Sequence, residues 1–104
     1  MVTMNSAANN TDLSNLVAVG VKAVRIGKSG RVVKTGMRGA RWFPAFELSD
    51  GSLLVSKIDF VKRDGMTGVA RAVQHLRRGL GGGIRREIGQ WEADELARYN
   101  RVAV

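Results

Sequence analysis

Residues 41–61 read RWFPAFELSDGSLLVSKIDFV, and the way these side chains alternate decides what kind of fold the chain builds. Aromatic and aliphatic residues flank Asp50-Gly51, a pair that suits the two central positions of a type I′ hairpin turn, where φ is positive. With that pair at the tip, Leu48 faces Leu53 and Phe46 faces Val55 on one side, while Glu47 points to the other. A β-hairpin is therefore expected. Beyond Val55 the parity changes. Ile58 and Phe60 fall opposite to Leu53 and Val55, so either this strand is buried on both faces or a bulge near Ser56 and Lys57 switches sides. Pro44 has no N–H for a ladder, which places its strand at a sheet edge or Pro44 at the strand's start. Phe43 and Phe46 have opposite parity; Phe46 is the expected core residue, and Trp42 divides evenly between core and surface.

Upstream, LVAVGVKAVRI (16–26) is rich in β-branched residues, GKSG (27–30) supplies a turn, and RVVKT (31–35) returns. This predicts a first hairpin with Ile26 opposite Arg31 and Val24 opposite Val33. Downstream, from Met66, the hydrophobic period lengthens from two to about 3.6. Val69, Val73, Leu76 and Leu80 then form one stripe, with Arg71 and Arg78 nearly opposite, as in an amphipathic helix laid on a sheet. Gly79 and the run Gly81-Gly82-Gly83 stop that helix. Ile84, Ile88, Trp91, Tyr99 and Val102 share a second helical face, interrupted by Glu95 and weakened by Gly89, with Asp94 and Arg98 spaced to support its last turns.

Strands followed by helices predict the α+β class: a small antiparallel sheet of about four strands in two hairpins, then two C-terminal helices. The strands are expected within 16–62 and the helices within 66–80 and 84–102. A length of 104 residues suits one such domain over 13–104, and the polar segment MVTMNSAANNTD (1–12) is expected to be a flexible tail. No apolar run approaches the ~18 residues of a membrane span, and the start lacks a signal-peptide pattern, so a soluble cytoplasmic protein without membrane contact is expected. Zero cysteines exclude disulfides, thiolate metal sites and a cysteine nucleophile.

Charge carries the functional signal. Seventeen Lys and Arg against nine Asp and Glu give a net charge of +8, which favours a polyanionic partner. Twelve of the seventeen are arginine, whose planar fork pairs bidentately with phosphate or guanine. From Leu13 to Phe46 the chain holds Lys22, Arg25, Lys28, Arg31, Lys34, Arg38 and Arg41 and no acid. Their spacing of about three does not match the strand period of two, so they cannot form a uniform stripe on one face. The expectation is a basic hairpin charged on both faces and at its tip, in outline like the β-ribbons and arms that enter DNA grooves. The bland reading of the same residues is a solvated strand surface. Trp42, beside Arg41, either joins the core or stacks a base.

The segment HLRRGLGGGIRR (75–86) sets Arg77, Arg78, Arg85 and Arg86 around four glycines. It matches neither a P-loop nor a dinucleotide fingerprint, since it follows a helix, lacks Lys-Ser or Lys-Thr, and has Ile84 where glycine would be needed. Two readings stand: a plain hinge between helices, or one phosphate held at the start of the second helix. His75 is the single histidine, so no metal set can be completed from histidine and cysteine. Glu47, Asp50, Asp59 and Asp64 are the carboxylates that could hold Mg²⁺, but Asp50 and Asp64 are better explained by turns. No cofactor, metal site or enzymatic activity is expected.

The stretch RVVKTGMRGARWFPAFELSDGSLLV (31–55) followed by an amphipathic helix resembles the strand-strand-helix layout of double-stranded-RNA-binding-like domains in ribosomal proteins. The glycine-rich strand end and lysine of those domains are absent, so the resemblance implies only a sheet-plus-helix nucleic-acid module. The leading expectation is a non-enzymatic DNA- or RNA-binding protein. Its contact residues would be Lys22, Arg25, Lys28, Arg31, Lys34, Arg38, Arg41 and Trp42, extended by Arg77, Arg78, Arg85 and Arg86. The competing expectation is a small interaction module or inhibitor docking on an acidic protein surface, with Trp91 and Tyr99 as anchors. A homodimer carrying one basic hairpin per subunit is compatible with either.

Overall fold

The computed structural model describes residues 13, 15–33, 40–80 and 86–104; the expected tail over 1–12 lies outside them. The chain is α+β, with an antiparallel sheet and, among the described elements, one long and one short helix. Its strands are β1 (Val17–Ile26), β2 (Arg41–Leu48), β3 (Leu53–Ser56), β4 (Arg86–Glu87) and β5 (Tyr99–Val102). They lie in the order β4-β1-β2-β3-β5. The long helix α1 spans Phe60–Gly79, a 3₁₀ turn covers Ile88–Gln90, and α2 is Ala93–Leu96.

Both faces of the sheet are apolar. On the α1 side, Ala18, Val21, Phe46, Leu48 and Leu54 meet Val69, Val73, Leu80, Ile88 and Trp91. On the other side, Val24, Ala45, Leu53 and Val55 form a second cluster with Ile26, Val32, Phe43 and Val102 around it. Burial on both faces is thus the answer to the parity change after Val55: all four β3 residues are buried, and the strand ends at Ser56 before Ile58 and Phe60 matter. In β1 the pairing slips between Ala18 and Gly20. The extra residue, Val19, lets Ala18 and Val21 both face α1, which strict alternation forbids.

The β2–β3 register differs from expectation by one residue. Phe46 pairs with Leu54 and Glu47 with Leu53, and the closing pair is Leu48 with Ser52, since the Leu48 N–H donates to the Ser52 carbonyl at 2.9 Å. The loop therefore has three residues, with only Gly51 at positive φ (90°), the usual form of a turn followed by a glycine bulge. Asp50 stays out of the left-handed region because its carboxylate is engaged. It accepts from the Ser52 N–H at 2.9 Å and from the Ser52 hydroxyl, and it pairs with Arg101 at 2.6 Å.

Pro44 is buried inside β2, an interior strand, opposite Ala23. Its nitrogen points to the β3 side, where the ladder has already stopped at Ala45–Val55, so no bond is lost. In the first hairpin Gly30 (φ 82°) turns the chain, and among the described residues Val32 bridges back to Ile26, in place of the expected Arg31. The Val33 N–H reaches the Arg25 carbonyl at 3.0 Å. The long partner of β1 is β2 instead.

Helix α1 carries the expected stripe: Val69 and Val73 are buried, Leu76 packs on the core, and Leu80 caps the end. Asp59 caps its start by accepting from the Lys62 N–H. Gly65 sits at φ 68°, ψ −161°, a break that separates the opening turn from the regular helix starting at Met66. A Cβ on Gly68 would lie 2.9 Å from the Phe60 carbonyl, so this glycine lets the opening turn fold close.

The helix expected over 84–102 is the main correction. That segment forms β4, the 3₁₀ turn, the four-residue α2 and β5. Helix α2 ends at Leu96, so Asp94 and Arg98 do not brace a helical turn. The stripe was real but served another purpose: Trp91 and Tyr99 close edge-to-face on Phe46 at 4.9 and 5.4 Å and on each other at 5.9 Å. Gly81, Gly82 and Gly83 lie outside the described residues.

Candidate nucleic-acid interface

The outer side of β1 is where the predicted residues converge. Because β1 pairs with β2 as Val21↔Phe46 and Arg25↔Trp42, Arg25 and Trp42 fall on the α1 side of the sheet, about 13 Å along the strands from Val21 and Phe46. Phe46 is 2% exposed, whereas Trp42, on the same face, is 37% exposed. The Arg25 guanidinium lies 5.7 Å from the centre of the Trp42 ring, within cation–π range, and its Nε is buried with no hydrogen-bond partner. Lys22, Arg25, Val32, Val33 and Trp42 line one open groove of about 190 Å³.

Lys22 and Arg25 are the cations that line this groove, and further cations lie on the turn after β1 and at the end of α1. Lys28 and Arg31 are exposed on the turn after β1. From the end of α1, Arg77 donates to the Val21 carbonyl at 3.3 Å, which ties the helix terminus to the strand, and Arg78 is exposed beside it. Both arginines also favour the negative end of the helix dipole. Among the described residues, no ion pair engages Arg25, Lys28, Arg31, Arg77 or Arg78; Lys22 has Glu47 at 3.7 Å, both half exposed. Gly20 makes room for that carboxylate, since a Cβ there would come within 2.9 Å of Glu47 Oε1.

Other predicted members are placed differently. Arg41 is bound to Asp59 at 2.8 Å and so serves the start of α1. Lys34, Arg38 and Arg85 lie outside the described residues. Arg86 contributes backbone to β4, opposite Ala18, so no helix starts there and the phosphate seat expected at that helix N-terminus is absent. Trp91, proposed as an exposed docking anchor, is 6% exposed in the core. Val32 and Val33, which no charge pattern singled out, form the apolar wall of the groove.

The four carboxylates considered for Mg²⁺ are each engaged with a different cation, Glu47 with Lys22 among them. Asp50 is held by Ser52 and Arg101, Asp59 by the Lys62 N–H and Arg41, and these contacts lower both carboxyls below their ordinary range. Asp64 has Arg63 at 3.9 Å. Glu92, Asp94 and Glu95 are at α2, whose Leu96 and Ala97 border Leu54 and Tyr99, on the β3–β5 side. That is some three strand spacings, about 14 Å, from β1. No group of three His, Cys, Asp or Glu suited to a metal occurs among the described residues, and His75 is exposed on α1. No helix among them is long and apolar enough to cross a membrane. No protein-family model matches the chain, and no curated protein or solved structure matches it.

Proposed function

We propose that the chain is a small nucleic-acid-binding protein that takes the phosphate backbone along the outer side of β1. The observation that carries this reading is that Arg25, Lys28, Arg31, Arg77 and Arg78, on β1, its turn and the end of α1, have no ion pair among the described residues, while Lys22 lines the Arg25–Trp42 groove half exposed beside Glu47. Lys22, Arg25, Lys28, Arg31, Arg77 and Arg78 form the contact set; Arg41 belongs to Asp59.

Six such contacts on a duplex give a log-log salt slope near −5, and on a single strand near −4. Anisotropy of a labelled oligonucleotide from 50 to 300 mM salt reads this directly. A combined Arg25→Glu, Arg31→Glu, Arg77→Glu variant should lose binding and flatten the slope, while Arg63→Glu on the exposed start of α1 should leave both nearly unchanged. Micromolar wild-type protein that bound no oligonucleotide at 50 mM salt would overturn the reading.

A further inference from the structure

We infer that Trp42 and Arg25 form a stacking seat for an unpaired base, so that the polymer taken by the β1 side is single-stranded; this rests on the nucleic-acid reading above. An aromatic ring that a strand holds in a sheet face has a fixed orientation. Trp42 is held by its pairing with Arg25, the last but one pair of the β1–β2 ladder, and it does not project from a loop tip as an intercalating wedge must. The bases of a duplex are stacked inside its backbone and cannot reach such a ring, whereas bases of a single strand splay outward and stack on exposed aromatic side chains.

The surroundings fit one base and its phosphates. Trp42 has the same parity as the buried Phe46 yet is left 37% exposed. Its Arg25 neighbour keeps a cation 5.7 Å from the ring centre, and the buried Arg25 Nε lacks an acceptor. The groove of about 190 Å³ beside them is too small to seat a duplex and open enough for a planar ring. Lys22 also lines this groove and is the cation placed to meet a flanking phosphate. The chemistry is common to DNA and RNA, so the sugar is left to the test.

Trp42→Ala and Trp42→Phe are compared with wild type on 12-mer oligo(dU), on oligo(U), and on a hairpin duplex, at 100 mM salt. Base stacking predicts a roughly 5- to 150-fold loss of affinity for Trp42→Ala on a single strand, most of it restored by Trp42→Phe, with duplex binding changed by less than about twofold. Fluorescence gives a second readout. Trp91 is buried in the aromatic trio, so quenching present in wild type and absent in Trp42→Phe reports Trp42 alone. Preference for either oligonucleotide supports the seat and assigns the sugar. Equal loss on duplex and single strand, or no loss and no quenching, overturns the inference while leaving a salt-dependent binder standing. Wild type that binds none of the three removes both readings.

Discussion

Replacing Trp91 with alanine tests the largest departure of this fold from its sequence pattern. If residues 84–102 were an amphipathic helix offering Trp91 to a partner, the change would touch an exposed side chain and cost under about 0.5 kcal/mol. In the structure the indole is 6% exposed and meets Phe46 at 4.9 Å and 74°, and Tyr99 at 5.9 Å and 65°. A buried indole removes some 200 Å² from water, worth about 5 kcal/mol at about 25 cal/mol per Å². Each edge-to-face pair adds about 0.5 to 1.5 kcal/mol. Alanine keeps part of the burial and the cavity partly collapses, so the expected loss is roughly 3 to 5 kcal/mol. A domain of this size has about 5 to 15 kcal/mol in total, so the variant should sit near its unfolding threshold. With a urea slope of about 1.5 kcal/mol per M, the midpoint should fall by roughly 2 to 3 M. Near-UV dichroism should lose the fixed aromatic signal. A midpoint within about 0.3 M of wild type, with a normal slope, would refute the packing of this segment against Phe46.

Gly65→Ala should destabilise by roughly 1 to 3 kcal/mol, because φ 68° with ψ −161° is a region only glycine enters readily; Gly79→Ala, helical with open space at its Cβ, should be neutral or stabilising. Thermal unfolding of the two variants side by side checks this. Stability should also fall with acid. Ser52 and Arg101 lower the Asp50 carboxyl from its ordinary 3.8, and the Lys62 N–H and Arg41 lower that of Asp59. The unfolded chain therefore binds these protons first, and the stabilisation is complete above the ordinary value and lost as pH drops through the folded ones. Urea midpoints between pH 5 and 2 should decline in wild type and less steeply in Asp50→Asn; parallel slopes would exclude Asp50 as a source.

What the residues revealed in advance follows from how local each cause is. Val69, Val73, Leu76 and Leu80 define a helix stripe by themselves, and α1 follows it. Leu53 to Val55 could be read as a strand, with burial on both faces one of two open answers. The Asp50-Gly51 turn was placed correctly but its register was not, because Asp50 is held by Arg101 from β5, a contact no local rule contains. Ile88, Trp91 and Tyr99 fit a helical spacing, yet each is positioned by a different turn or strand around Phe46. The basic character of the β1 region was plain from charge alone. The Arg25–Trp42 neighbourhood was not, since it depends on β1 pairing with β2, two segments that local patterns do not bring together.

The sheet order also has a consequence for biosynthesis. The three central strands are consecutive, but the strands outside them, β4 against β1 and β5 against β3, both come from the segment after α1. During translation β1, β2 and β3 can assemble while each flank still exposes unpaired amides. Arg77 donates to the Val21 carbonyl on the flank of β1 past its pairing with β4, so a charged side chain guards that part of the flank against intermolecular pairing. The β3 flank is paired by β5, so released chains truncated between residues 80 and 98 should be more aggregation-prone than the full chain.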